Sequence, residues 1–142
     1  GTVLRVEDVA RVEAAGGTLI VSPNTDVRVI RAAAERGLVA LPGIATPSEA
    51  FAALEAGAAA LKLFPAEAAS PAVVKAIRAV LPADTRILPV GGILPDGMGP
   101  WLAAGASGFG LGSALYTPGL SAAEVGVRAQ RFVAALSAAR PT

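Results

Sequence analysis

A lysine lies in the middle of a short apolar segment, Leu61-Lys62-Leu63-Phe64, which a proline closes at position 65. Lys62 and Lys75 are the two lysines among 12 cationic residues, so arginine supplies nearly all of the positive charge. Burial disfavours the ammonium form of a lysine and lowers its pKa, which yields a neutral, nucleophilic amine. Such an amine can form a Schiff base with a carbonyl substrate. The alternative is that Lys62 lies along the surface with its amine in water.

Two glycine-containing segments each follow an apolar segment. Gly91-Gly92 comes after residues 87–90, and Gly112-Ser113 comes after residues 108–110. Glycines let backbone amides approach an anion, and a short helix beginning at Ser113 would direct further N–H groups at it. Either segment alone could be an ordinary tight turn. Together, at neighbouring strand ends, they predict a phosphate site.

The composition narrows the possible chemistry. The chain has 142 residues with no Cys and no His, which excludes disulfides, Cys nucleophiles, Cys/His zinc sites and His-dependent triads. A net charge of +1 without a basic run argues against nucleic acid as a partner. No apolar run reaches the roughly 18 residues of a membrane helix, and the N-terminus lacks a signal-peptide layout. We therefore expect one cytoplasmic domain that does not contact a membrane.

Helix, glycine, apolar strand and loop follow one another repeatedly along the chain. Thr46, Pro47 and Glu49 form a capping-box pattern, and Ser121 with Glu124 forms another. Short apolar strands are predicted near residues 20, 40, 61, 88 and 109. Helices are predicted over about 6–15, 26–36, 46–57, 70–82 and 96–105, and from 121 onwards.

The strands are continuously apolar, which is typical of a parallel sheet with helices on both faces. A doubly wound sheet and a (β/α)8 barrel share this pattern. The regular repeat, and the proline and glycine residues at the strand ends, favour the α/β barrel of the TIM type. About five of its eight β/α units are present. We therefore interpret residues 1–142 as the C-terminal portion of a single barrel whose first units are absent.

Several segments, in this order, are similar to the bacterial KDPG/KDPGal aldolase family. They are Gly1-Thr2-Val3-Leu4, Val21-Ser22-Pro23-Asn24, Leu61-Lys62-Leu63-Phe64-Pro65-Ala66-Glu67, Leu88-Pro89-Val90-Gly91-Gly92-Ile93 and Gly110-Leu111-Gly112-Ser113-Ala114-Leu115-Tyr116. The resemblance covers essentially the whole chain. Val90 and the Gly-Ser-Ala-Leu-Tyr segment look more like the 2-dehydro-3-deoxy-6-phosphogalactonate branch than the phosphogluconate branch.

The resemblance implies a class I aldolase that cleaves this phosphorylated 2-keto-3-deoxy sugar acid to pyruvate and glyceraldehyde 3-phosphate. Lys62 would be the Schiff-base lysine. Thr2, Pro23 and Phe64 would surround the pyruvyl group. The phosphate would be held by Gly91, Gly92, Gly112 and Ser113. The protonated imine is the electron sink, so no metal and no cofactor are expected. The family is usually trimeric, which implies a homo-oligomer.

Two family residues have no matching position in this sequence. Family members carry an arginine on the first strand and a general acid/base glutamate on the second. Glu67 is the carboxylate nearest to Lys62 in sequence, but it follows Pro65, and we expect a capping or loop role for it. We therefore expect weak or no aldolase turnover from this chain, even if it forms the imine.

Two other interpretations remain open. One is a non-catalytic phosphate-binding partial barrel, since fold alone does not settle function. The other is a fragment that needs a complementary chain, because open sheet edges and a hydrophobic fraction of 54% favour association with more protein.

Overall fold

Helices and strands alternate along the chain in the order that the sequence predicts. The computed structural model describes residues 1–139. The helices are α1 (Val6–Ala14), α2 (Val27–Ala34), α3 (Pro47–Glu55), α4 (Pro71–Arg78), α5 (Met98–Ala103) and α6 (Ala122–Ala139). The strands are β1 (Leu19–Val21), β2 (Val39–Leu41), β3 (Gly43–Ile44), β4 (Leu61–Leu63) and β5 (Ile87–Pro89). Short 3-10 turns cover Ala66–Ala68 and Pro95–Gly97.

All pairings between these strands are parallel, as the continuous apolar segments predict. β1 pairs with β2, while β4 lies between β3 and β5. β2 and β3 are consecutive segments separated by Pro42, whose carbonyl accepts a hydrogen bond from the Lys62 amide at 2.9 Å. Backbone pairing therefore continues past Pro42. The strand predicted near residue 40 is followed by a second short strand, because a proline lacks a donor but still offers its carbonyl to the next strand.

The segments on either side of these strands extend the parallel arrangement. The Val3 amide donates to the Val21 carbonyl at 3.0 Å. At the other side, Gly110 forms a single parallel bridge with Val90. The predicted strand at residues 108–110 is therefore reduced to one bridge. Two of its three residues are glycines, which have no side chain to pack on a sheet.

The helix starts confirm most of the local predictions. Thr46 and Glu49 make both hydrogen bonds of a capping box at α3. Ser121 and Glu124 make the same pair before α6. Ser70 begins α4 without a side-chain capping bond. The predicted start at Asp96 is displaced, because residues 95–97 form a 3-10 turn and α5 begins at Met98.

Two hydrophobic clusters hold the fold together. The larger one lies between the strands and α1 to α4, and Ile20, Ile44, Leu61, Leu63 and Ile87 from the strands are at most 2% exposed. The smaller one joins α6 to the 3-10 turns through Ala66, Ile93, Met98 and Phe132. Trp101 packs against both clusters. No helix within residues 1–139 is long and apolar enough to cross a membrane.

Candidate active site

Lys62 is the central residue of β4, and the sheet fixes its position. Its backbone is paired with Gly43 on one side and with Leu88 on the other. Its side chain is half-buried, whereas Leu61 and Leu63 point into the core. The Lys62 Nζ lies 4.2 Å from the centroid of the Phe64 ring. Burial lowers the pKa of the Lys62 amine from its ordinary value of 10.5. This is the direction that a nucleophilic lysine requires.

Pro23 packs against Gly43, and Gly43 pairs with Lys62 on the lysine strand. A Cβ atom at Gly43 would collide with the Pro23 carbonyl and would lie 2.9 Å from the Asn24 amide nitrogen. The Thr25 hydroxyl donates to the Gly43 carbonyl at 2.7 Å. Because Gly43 is the register partner of Lys62, the loop that follows β1 is connected to the lysine strand through β3. The sequence analysis missed Gly43, whose importance comes from a contact with a loop 20 residues away.

Thr2 precedes Val3, whose amide is hydrogen-bonded to the last residue of β1. The φ of Thr2, 58°, falls in the left-handed region, which is unusual for a β-branched residue and is seen most often at functional sites. The next residue, Val3, is held twice: its amide donates to Val21, and its carbonyl accepts from the buried Ser22 hydroxyl at 2.6 Å. Thr2 itself is exposed.

Gly91 and Gly92 form a turn that only glycine adopts easily. Their φ values are 113° and 64°. The turn is fixed to the lysine strand, since the Val90 amide donates to the Leu63 carbonyl at 3.0 Å and the Ala66 amide donates to the Val90 carbonyl at 2.9 Å.

Gly112 and Ser113 begin a single backbone turn. The Gly112 carbonyl accepts from the amides of Leu115 at 2.9 Å and Tyr116 at 3.0 Å. The short helix expected at Ser113 is therefore only one turn long, and Ser113 is exposed. Tyr116 is 56% exposed and does not close the end of the fold.

One cavity of about 470 Å³ brings the predicted phosphate residues together with Phe64. Its walls include Gly91, Gly92, Gly112 and Ser113. Lys62, Thr2 and Pro23 do not line this cavity, and Lys62 meets it through the Phe64 ring. The Lys62 amine therefore lies over a ring that also lines the cavity.

Glu67 also lines this cavity, where the sequence analysis expected only a capping or loop role. Its side chain lies against Gly91 and Gly92. The feature of the sequence that could have indicated this place in the cavity wall is the position of Glu67 shortly after the lysine strand. Within residues 1–139, no three His, Cys, Asp or Glu side chains form a group that could hold a metal ion.

The fold and the site together define a class of protein. Lys62 lies on a parallel strand, and Pro23, Phe64 and Gly91 follow the carboxyl ends of such strands, which is where α/β folds carry their active sites. The class is therefore an α/β protein with a candidate active site at the carboxyl ends of its parallel strands.

Comparison with known proteins identifies the family. Residues 1–124 match the model of the KDPG and KHG aldolase family, and the chain belongs to that family. It is 49% identical over 138 residues to the probable 2-dehydro-3-deoxy-6-phosphogalactonate aldolase of Rhizobium meliloti, covering 97% of this chain and 65% of the relative. It is 47% identical to the 2-dehydro-3-deoxy-6-phosphogalactonate aldolase of Escherichia coli, covering 95% and 66%. The chain thus spans slightly less than two thirds of the length of these relatives.

Solved structures support the same family assignment. One described as the native KDPGal structure superposes with a TM-score of 0.96 at 47% identity, covering 98% of this chain and 68% of the other. The KDPG aldolase of Legionella pneumophila, described with pyruvate captured as a covalent carbinolamine, superposes with a TM-score of 0.71 at 25% identity, covering 99% and 67%.

Proposed function

We propose that this chain carries the Schiff-base site of a class I aldolase that cleaves 2-dehydro-3-deoxy-6-phosphogalactonate to pyruvate and glyceraldehyde 3-phosphate. The single observation that carries the proposal is the half-buried Lys62 amine, with its lowered pKa, against the Phe64 ring. The carbinolamine described for the Legionella relative supports the same chemistry.

In the proposed reaction, the neutral Lys62 amine adds to the C2 ketone of the substrate, and the resulting carbinolamine loses water to give a protonated imine. A base removes the proton of the C4 hydroxyl, the C3–C4 bond breaks, and its electron pair moves into the imine to give an enamine. Glyceraldehyde 3-phosphate leaves. Protonation of the enamine at C3 and hydrolysis of the imine then release pyruvate and the free amine.

The substrate would lie across both parts of the site. Thr2, Pro23 and Phe64 would surround the pyruvyl end, while the amides of Gly91, Gly92, Gly112 and Ser113 would bind the phosphate. Backbone amides in a glycine turn suit an anion because they donate hydrogen bonds without a side chain in the way. The galactonate branch is supported by Val90 and by the names of the two relatives.

The proposed reaction needs a group that transfers protons, and no residue of this chain is assigned to that role. Within residues 1–139 no ion pair joins the Lys62 amine to Glu67 or to another carboxylate. We therefore propose that this chain forms the imine but turns over its substrate weakly, because the family's arginine and glutamate have no matching positions in it.

The larger assembly is also a proposal. The parallel units would be about five of the eight units of a (β/α)8 barrel, forming the C-terminal portion of that domain. By family resemblance the protein would be a cytoplasmic homotrimer.

The test uses the two lysines of the chain. We expect incubation with pyruvate and borohydride to add a reduced pyruvyl group to Lys62, as located by peptide mass spectrometry. Lys75→Ala should keep the adduct, since Lys75 is exposed on α4, and Lys62→Ala should lose it. A folded protein without an adduct would contradict the proposal.

A second candidate is favoured by the cavity itself. The residues proposed for phosphate line a cavity that Lys62 does not line, so a phosphate-binding partial barrel without catalysis fits the same geometry. This candidate, including a fragment that needs a complementary chain, predicts phosphate binding without the pyruvyl adduct.

A further inference from the structure

The cavity proposed for the phosphate is lined by a carboxylate, whose negative charge is unfavourable for binding an anion. Among the residues of the described chain that line it, Glu67 is the charged one, and the others are glycines, apolar residues and Ser113. A phosphate bound there would meet backbone amides together with one carboxylate. Like charges at short range repel, and the repulsion grows when water is excluded from between them.

Glu67 covers the turn that would hold the phosphate. A Cβ atom built on Gly92 would lie 2.6 Å from the Glu67 Cγ and 3.2 Å from its Cδ. A Cβ atom built on Gly91 would overlap the Glu67 carboxylate itself. The two glycines therefore leave room for this side chain, and the carboxylate occupies space beside the turn.

The backbone that carries Glu67 is fixed, but its side chain is not. Ala66, the preceding residue, is buried and hydrogen-bonded to the Val90 carbonyl. The Glu67 side chain is exposed, and within residues 1–139 neither a hydrogen bond nor an ion pair holds its carboxylate. Rotation of the side chain away from the glycines therefore breaks no polar contact.

We propose that Glu67 sets the affinity of the site for phosphate, by covering the Gly91-Gly92 turn in the free chain and repelling the bound anion. This inference rests on the proposed phosphate site. A phosphate displaces the carboxylate from the turn and remains close to its charge. This repulsion between the carboxylate and the phosphate weakens binding. It also speeds the release of a phosphorylated product, because affinity differences within one site are expressed mainly in the dissociation rate.

The experiment is a titration with inorganic phosphate, followed through the amide resonances of Gly91 and Gly92 by NMR. Glu67→Gln keeps the shape of the side chain and removes its charge, so we expect phosphate to bind roughly three- to tenfold more tightly. Glu67→Ala should tighten binding in the same direction. The difference from the unmodified chain should shrink at high salt, because the repulsion is screened.

Glu55→Gln is the matched control. Glu55 is an exposed acid at the end of α3, so this variant changes the net charge equally and should bind phosphate like the unmodified chain. Equal or weaker binding by Glu67→Gln, when the unmodified chain does bind, would overturn the inference but leave the phosphate site intact. If phosphate moves neither glycine resonance in any of the variants, the proposed site is wrong and the inference falls with it.

Discussion

Lys62 is subject to two opposing influences at the residue scale. Burial penalises the ammonium ion, whereas the negative face of the Phe64 ring at 4.2 Å favours it. Burial lowers the pKa of Lys62, and the contact with the ring acts in the opposite direction. The result is an amine that loses its proton more readily than a lysine in water.

The first prediction concerns the pH dependence of imine formation. Only the neutral amine attacks a ketone, so a lowered pKa keeps the reaction efficient at lower pH. We expect the rate of pyruvate trapping by borohydride to rise with pH and to have its midpoint below 10.5, the ordinary value. Phe64→Leu should move the midpoint lower still, because it removes the ring that favours the ammonium ion. A midpoint at or above the ordinary value would contradict the assignment of burial as the cause.

The second prediction is that the burial of Lys62 lowers the free energy of unfolding. The folded-state pKa of Lys62 lies below the unfolded-state value, so below both values the protonated lysine favours the unfolded chain. Lys62→Met should therefore raise the free energy of unfolding at pH 7, measured by urea denaturation. The gain should shrink as pH rises from the folded pKa towards 10.5, where the unfolded lysine also loses its proton.

Lys75→Met serves as the comparison, since Lys75 is exposed on α4. A loss of stability in Lys62→Met at neutral pH would show that the amine contributes a favourable interaction that outweighs its burial.

At the scale of single elements, two helices with the same start in sequence differ in structure. α3 begins with Thr46-Pro47 and α4 with Ser70-Pro71. Thr46 accepts a hydrogen bond from the Glu49 amide, and the Glu49 carboxylate accepts from the Thr46 amide. The Ala45 amide also donates to the Glu49 carboxylate, and this bond, followed by those from the Thr46 hydroxyl and amide, lowers the pKa of Glu49. Position three of α4 is Val73, which cannot complete the box.

The third prediction compares these two helix starts. Thr46→Ala removes an N-cap that is bonded in the structure, and we expect it to cost about 1 kcal/mol of unfolding free energy. Ser70→Ala removes a hydroxyl that caps nothing, so its effect should be clearly smaller. Urea denaturation of both variants measures the difference. Equal losses would mean that Ser70 caps α4 in solution.

The whole molecule depends on how α6 is attached. Phe132 is 5% exposed and belongs to the same hydrophobic cluster as Ala66, Ile93 and Met98. Trp101 connects this cluster to the larger core. The lining of the cavity therefore depends on residues that are far from it in sequence.

The fourth prediction tests this attachment. Phe132→Ala should lower the free energy of unfolding by about 3–5 kcal/mol, because it leaves a cavity between α6 and α5. Val133→Ala on the same helix is the control, since Val133 is 64% exposed and should matter little. Fluorescence of Trp101 and circular dichroism should follow one transition in the unmodified chain. A small loss in Phe132→Ala would mean that α6 is held by other contacts.

Local features of this protein could be predicted well from sequence. The capping boxes at Thr46 and Ser121, the strand at Leu19–Val21 and the lysine strand depend on residues within a few positions of one another. The less predictable features involve glycine and proline. The strand expected at residues 108–110 became a single bridge, and pairing resumed beyond Pro42, because neighbouring strands decided what these residues could do.

The sequence by itself determined the parallel α/β class and the family, because apolar periodicity and motif spacing are properties of the chain alone. Only the tertiary structure decided which residues share the site. Gly43 touches Pro23, and Glu67 covers Gly91 and Gly92, because parallel pairing brings the ends of strands together across 20 or more residues of chain. Contacts of this kind follow from strand register and helix packing, and no local pattern encodes them.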